Sequence, residues 1–274
     1  MPARLRTQLS LFVGLCSFTA LNLVPVIWAL LISIKQPVDA FSIPPKLIFV
    51  PTLEFHYQIW VEKQFWRFLI NSAIISVCTV CISVSIGTMA AYGLSRMRSA
   101  ASRGVLFGLL MMRMFPHILL AIPFFVLANF LHLINTYTAM ILALTAINQP
   151  FTIWLMRSFF ADVPSELYEA AAIDGCNSWQ VFARVALPVV RPGVWVTALF
   201  SLLLSYNEFL FALILTGPDT KTLPVAIAEY GGEDISYWSL SAAAAVGIMI
   251  PIVAFMMLLQ RHLVRGLAFG AVKG

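Results

Sequence analysis

Apolar residues fill long blocks of this chain, and the charges collect in the short stretches between them. A bilayer core needs about 20 apolar residues per helix. Residues 9–34, 68–94, 105–131, 137–159, 194–215 and 238–259 each meet that length. The pattern predicts an all-α membrane protein with six spanning helices, read as one transmembrane domain over 1–274. The first block is longer than the apolar region of a signal peptide and lacks a small-residue cleavage site after it, so it reads as a retained span.

Six spans place both ends of the chain on one side. The basic residues Arg4, Arg6, Arg96, Arg98, Arg103, Arg157, Arg184, Arg191, Arg261, Arg265 and Lys273 fall on the side of the N-terminus. Lys35, Lys46, Lys63, Arg67 and Lys221 fall opposite. Loops rich in Lys and Arg stay in the cytoplasm, which puts both termini there. Residues 35–67 then form the longest outer loop, where Pro37, Pro44, Pro45 and Pro51 oppose long helix. Residues 216–237 form another, with Asp219, Glu229, Glu233 and Asp234 against Lys221.

Composition agrees with a lipid solvent. The chain is 61% hydrophobic and 11% charged, where a soluble domain carries about 25% charged residues. Its net charge of +5 is explained by topology and gives no reason to invoke nucleic acid. Cys78 and Cys81 form a CxxC, but within an apolar helix positions i and i+3 share a face, and packing is the simpler reading. The histidines (His56, His117, His132, His262) show no metal-ligand spacing, and no catalytic constellation is present. No GxxxxGK[ST] phosphate loop occurs either.

One stretch departs from the apolar pattern: VPSELYEAAAIDGCNSWQVFARVALPVVRP, within the 160–192 loop between spans four and five. Asp162, Pro164 and Ser165 suit a helix start, and a helix to about Asp174 follows. Gly175 suits the left-handed residue that ends it. Asn177 and Ser178 can cap a second helix from Trp179 to about Leu187, which Pro188 would stop. The segment predicts a helix–turn–helix knob. Ala170, Ala171 and Ala172 give it a thin flank, and Glu166, Glu169 and Asp174 could meet basic groups on a partner protein. The alternative is an amphipathic helix on the lipid surface, with Leu167, Tyr168 and Ile173 as its apolar side.

This segment resembles the EAA loop of binding-protein-dependent ABC importer permeases. The pattern falls on Glu169, Ala170, Ala171, Gly175, Val185, Leu187 and Pro188, and the Ile173-Asp174-Gly175 form resembles the carbohydrate branch. NQPF in span four, NEFLFALILT in span five and the C-terminal GAVKG are similar to sugar permeases, most of all to the smaller subunit of maltose- and trehalose-type importers. The resemblance implies a permease of the bacterial inner membrane that pairs with a homologous permease as a heterodimer. It implies two ATPase subunits beneath the pair, which bind the ATP and magnesium, and an extracytoplasmic sugar-binding protein above it. The chain itself would carry no cofactor and no catalytic residue. The knob residues Glu166, Glu169, Ala170, Ala171, Asp174, Gly175, Leu187 and Pro188 would couple ATPase closure to helix motion, and the tail 266–274 would reach toward the ATPases.

Polar groups inside spans are rare and commonly functional. Arg113 lies in span three, Asn148 and Gln149 in span four, and Tyr206, Asn207 and Glu208 in span five. Either they line a sugar path, or they are structural, with Arg113 and Glu208 pairing or binding helix ends and Asn148 bonding between helices. Pro116 and Pro123 in span three and Pro251 in span six favour kinks. Gly104 and Gly108, and the small residues of SLSAAAA from Ser239, permit close helix contacts between paired permeases. Two other classes fit six spans: an ion-driven secondary sugar transporter, and a scaffold that transports nothing. The first does not need the capped knob, and no inverted repeat is visible; the second is distinguished by whether vesicles with the full complex accumulate solute.

Overall fold

The computed structural model describes residues 3–97, 99–230 and 235–271. Arg98, Glu233, Asp234 and Lys273, used in the charge argument, lie outside them, as does the end of the C-terminal tail from residue 272. The described residues are helical with irregular connections, and no strand occurs among them. By length and apolarity four helices can cross a membrane, and up to six if each of two bent pairs is one span.

The long apolar blocks form helices because continuous runs of Leu, Ile, Val and Ala satisfy every backbone group internally. Helix α1 (Ala3–Ser33) covers the first block, and none of its most apolar stretch is buried. Helices α2 (Trp66–Arg96), α3 (Ala100–Met114), α4 (His117–Phe130) and α5 (Tyr137–Ala161) follow. The loop between spans four and five contains α6 (Ser165–Ile173) and α7 (Ser178–Val189), then α8 (Arg191–Tyr206) and α9 (Leu210–Leu215). Short α10 (Leu223–Ala228) precedes α11 (Ile235–Ala271), which extends the expected last span at both ends.

Two of the expected spans are broken, one of them beside a proline expected to kink it. The third is the pair α3 and α4, bent by 93°. Phe115 precedes Pro116, and a residue before proline is pushed out of helical geometry; Phe115 sits at φ −69° and ψ 131°. Pro123 and Pro251 are accommodated inside helices. The fifth span ends early at Tyr206 and resumes at Leu210. Polar side chains cap that break: Asn207 Nδ2 donates to the Leu203 carbonyl at 2.9 Å, and Glu208 Oε1 accepts the Phe211 N–H at 3.2 Å.

The chain clusters into two compact units, Met1–Trp66 with Ala226–Pro251, and Arg67–Val225 with Ile252–Gly274. In the first, Phe65 packs edge-on against Tyr230 and Phe41 against Trp238, each pair 5.4 Å between ring centroids. A Cβ at Gly247 would overlap the Trp60 ring. Lys35 is fully buried there; its Nζ donates to the Lys46 carbonyl at 2.6 Å and lies 4.8 Å from the Phe49 ring centre.

In the second unit α5 packs against α3 and α8, and α4 packs against α9. The buried face of α2 carries Ser72, Ser76, Thr79, Ser83 and Gly87, small groups that let helices approach closely. Cys78 is half-buried, Cys81 is exposed, and both are free thiols. A polar clasp holds the start of the 216–237 loop. Asn71 Nδ2 donates to the carbonyls of Asp219 and Lys221 at 3.0 and 2.9 Å. Asn135, at φ 59°, donates to Asp219 Oδ2 at 2.7 Å and accepts the Thr220 hydroxyl at 2.9 Å.

Candidate functional site

The knob is built by local sequence chemistry. Helix α6 begins after Pro164, which offers no side-chain cap, and Ser165 is its first helical residue. Its other end is a Schellman turn. The Cys176 N–H reaches the Ala171 carbonyl at 3.0 Å and the Gly175 N–H reaches the Ala172 carbonyl at 3.1 Å, satisfying two orphan carbonyls. Gly175 sits at φ +79° in the left-handed region, as the sequence predicts. A Cβ there would meet nothing within 4 Å, so the cost of any side chain is conformational. Gly175→Ala should destabilise the folded chain by about 1–2 kcal/mol, and Gly175→Asn by less. Equal denaturation midpoints for all three chains would contradict this reading.

Helix α7 opens with a capping box. Asn177 Oδ1 accepts the Gln180 N–H, and Gln180 Oε1 accepts the Asn177 N–H, both at 2.9 Å. Pro188 does not stop this helix. A π turn over Phe182–Ala186 precedes it, and the helix continues to Val189 before turning 77° into α8. The wider turn accommodates a residue that lacks an N–H and whose ring crowds the carbonyl four positions back.

The two faces of α6 differ in chemistry. Glu166, Glu169, Ala170 and Ile173 stand at i, i+3, i+4 and i+7, so they share one face, and all are exposed; Ile173 is 87% exposed. Asp174 and Ala172 are exposed as well. Tyr168 and Ala171 turn the other way into a core with Ala91 of α2, Met156 and Phe160 of α5, and Val181, Phe182 and Ala186 of α7. Ala171 therefore packs inside the chain and is not part of an outer thin flank. With Tyr168 inward, the apolar stripe expected of a lipid-surface helix is divided between faces. Leu187 and exposed Pro188 line a cleft of about 370 Å³ with Arg191, Val194 and Trp195.

Tyr168 joins an aromatic cluster centred on Tyr92. The Tyr92 ring lies 6.2 Å from Tyr168, 5.5 Å from Phe160 and 5.1 Å from Phe182. The Arg96 guanidinium lies 4.3 Å from the Tyr168 ring centre. Burial and the neighbouring Tyr92 push the Tyr168 phenol above its ordinary value, against the opposing pull of Arg96. Tyr92 and Arg96 belong to the end of α2, far away in sequence.

The polar groups of the spans separate into two kinds. Asn148 is 4% exposed and donates to Ser205 Oγ at 2.8 Å, tying α5 to α8. Gln149 Nε2 donates to the Ser83 carbonyl at 3.2 Å, tying α5 to α2. Tyr206 is buried, and its hydroxyl has no hydrogen-bond partner. Asn207 and Glu208 cap the α8–α9 break as described. Arg113 is exposed at the end of α3, with its guanidinium 4.8 Å from the Phe151 ring centre. Arg113 and Glu208 thus have separate partners and do not form the expected pair. A Cβ added at Gly104 or Gly108 would meet nothing within 4 Å among the described residues.

Comparison with known proteins gives this arrangement a context. The family described as binding-protein-dependent transport system inner membrane component matches residues 83–269, which include the knob and every polar group just described. The chain belongs to that family. A probable ABC transporter permease protein of Sinorhizobium fredii is 38% identical over 94% of this chain and 93% of its own. A trehalose/maltose transport system permease protein of Thermococcus litoralis is 32% identical over 97% of each. The fold is similar to that of a bacterial ABC transporter involved in import of the acidic polysaccharide alginate, with a TM-score of 0.75, 21% identity, and 95% of this chain and 98% of that one covered. The protein is thus an inner-membrane permease, the non-catalytic membrane subunit of an ABC transporter.

Within the permease, Glu166, Glu169, Ala170 and Asp174 are brought to the outside of the knob and Ala171 to its inside. Asn148 and Gln149 lie in helix seams, Arg113 stands open, and Asn207 and Glu208 mark a break. Sequence reasoning missed Tyr92, Arg96 and the inward role of Tyr168. Only the helical register of α6 hinted at it, since Tyr168 lies opposite the acidic stripe.

Proposed function

We propose that this permease forms the translocation path of an ATP-driven sugar importer together with a homologous permease, and that its knob docks in a groove of one of two ATPase subunits. Both termini are cytoplasmic in this reading, following the distribution of Arg and Lys. A binding protein delivers sugar from outside, and closure of the ATPases on ATP and magnesium pushes the knob. The two access states are biased by ATP on one side and by the loaded binding protein on the other. The name of the Thermococcus relative supports sugar as the cargo.

The observation that carries the reading is the two-faced α6: an exposed acidic stripe around Ile173, and an inner face fixed by Tyr168 and Ala171. A helix clamped by a Schellman turn and a capping box transmits force with little bending. Glu169→Lys reverses charge on the outer face and leaves the core untouched. In proteoliposomes carrying the whole complex it should lower uptake at least tenfold with the knob still folded. The same preparation tests the assembly: two ATPase copies and one homologous permease are expected per chain. A lone chain or homodimer that takes up sugar on an ion gradient would replace this reading with the secondary-transporter one.

A further inference from the structure

Asn148 and Gln149 are bonded into helix seams, and the Glu208 carboxylate accepts the Phe211 N–H. Whereas the unpartnered Tyr206 hydroxyl is buried, Arg113 is, among these candidate groups, the charged side chain that stands exposed. Its contact among the described residues is the face of Phe151, and no carboxylate or hydrogen-bond acceptor accompanies it. A guanidinium is never neutral in a protein, and within a bilayer it needs water, an acceptor or an anion.

The surroundings are arranged around that charge. The 93° break at Phe115 and Pro116 interrupts the helix directly after Arg113. A cleft of about 90 Å³ opens there, lined by Arg113, His117, Leu120, Phe124, Ile147 and Pro150. Its polar side chains are the two nitrogen bases, and the rest of the wall is apolar. The His117 ring is edge-on to Phe211 at 6.3 Å, and the Glu208 carboxylate accepts the Phe211 N–H. A liquid water occupies about 30 Å³, so the cleft has room for an acid group while a sugar ring rests outside it. The guanidinium lies 4.8 Å from the Phe151 ring centre, and its N–H donors match a planar, two-oxygen acceptor.

We propose that Arg113 is a substrate-selecting residue and that the sugar this permease carries bears a carboxylate, a uronic acid. The proposal rests on the sugar-importer reading above and adds the charge of the cargo. Arg113 pairs with the carboxylate as the sugar passes the break, while the apolar wall beside it gives a neutral hydroxymethyl group in the same position no compensating bond.

The test uses the complete transporter with its own binding protein in proteoliposomes. Matched disaccharides serve as probes, each as the neutral sugar and as the form oxidised to a carboxylate at C6 of the terminal ring, for example cellobiose and cellobiouronate. The acid form of at least one pair should accumulate at least tenfold over its neutral partner. Arg113→Gln should cut that uptake at least tenfold, Arg113→Lys should recover part of it, and both variants should assemble normally, since Arg113 is exposed. Preferential uptake of a neutral sugar, or acid uptake indifferent to Arg113→Gln, overturns the proposal. Accumulation of no probe by an assembled, ATP-hydrolysing complex counts against the sugar-importer reading itself.

Discussion

Tyr168→Ala is expected to abolish uptake while the assembled complex goes on hydrolysing ATP. The side chain is 5% exposed and joins α6 to α2 through Tyr92 and Arg96. It shares a core with Phe160 and Phe182. Removing a buried aromatic ring costs about 3–5 kcal/mol, and here the loss falls on the contact that ties the knob to two spans. A knob still docked to its ATPase but loose on α2 and α5 would move without moving them. Tyr168→Phe gives the control. The Tyr168 hydroxyl is buried with no hydrogen-bond partner, so losing it removes an unsatisfied group and leaves the ring in place. The Phe variant should retain wild-type uptake, and the ratio of sugar moved to ATP consumed should separate the two variants. An Ala variant with a normal ratio would remove Tyr168 from the coupling route.

The same residue predicts a pH effect. Its phenol is raised above the ordinary 10.0 by burial first and by Tyr92 second. A raised folded value means that the unfolded chain loses this proton first as pH rises. The stability linked to it is therefore fully present below the unfolded value and is lost as pH climbs through the folded one. Wild-type and Tyr168→Phe chains should show parallel unfolding midpoints at neutral pH. Above the ordinary phenol value the Phe variant should become the more resistant. Midpoints that stay parallel into the alkaline range would remove Tyr168 as the titrating group.

What the sequence disclosed about this permease follows from where each determinant lies. The α2 and α5 spans were legible to within two residues at each end, because a lipid solvent imposes a long apolar run. The turn inside the knob was equally legible, because Gly175 and Asn177 act on backbone groups a few residues from themselves. The breaks were not. Pro116 and Pro123 lie in one apolar run, and only Pro116 ends a helix. Whether a proline kinks, breaks or is tolerated is decided by which neighbouring groups take up the freed carbonyl. Pro188 taught the same lesson through the π turn before it. The partner of Tyr168 depends on the end of a helix some 70 residues earlier, a relation that no local pattern encodes. The candidate path was legible as chemistry but not as roles, since Asn148 and Arg113 are equally polar in the sequence and differ only in what surrounds them.

Gly87→Val is expected to prevent α2 and α5 from packing and to deplete folded permease from the membrane. A Cβ on Gly87 would overlap the Thr152 methyl and come within 3.2 Å of Gln149 Oε1. This seam also carries the Ser83 hydroxyl, 3.2 Å from Thr152 Oγ1, and the Gln149 bond to the Ser83 carbonyl. Both links need the helices at their present separation. Apolar burial between spans supplies little force in lipid, so close contact between small residues is what holds such a seam together. Overpacking costs typically about 1–3 kcal/mol even where neighbours can yield, and here the neighbour is a β-branched side chain with restricted χ1 whose hydroxyl is engaged with Ser83. Gly93→Val on the same helix is the control, because a Cβ there meets nothing within 4 Å. Gly87→Ala should be intermediate, and Thr152→Ala introduced beside it should restore part of the loss by removing the obstructing methyl, a positive coupling in a double-mutant cycle. The readout is the fraction of detergent-solubilised chain that survives heating and still assembles with its partners. If Gly87→Ala and Gly93→Ala survive alike, the seam is looser than its geometry requires, and the small-residue face of α2 must be explained by something other than contact with α5.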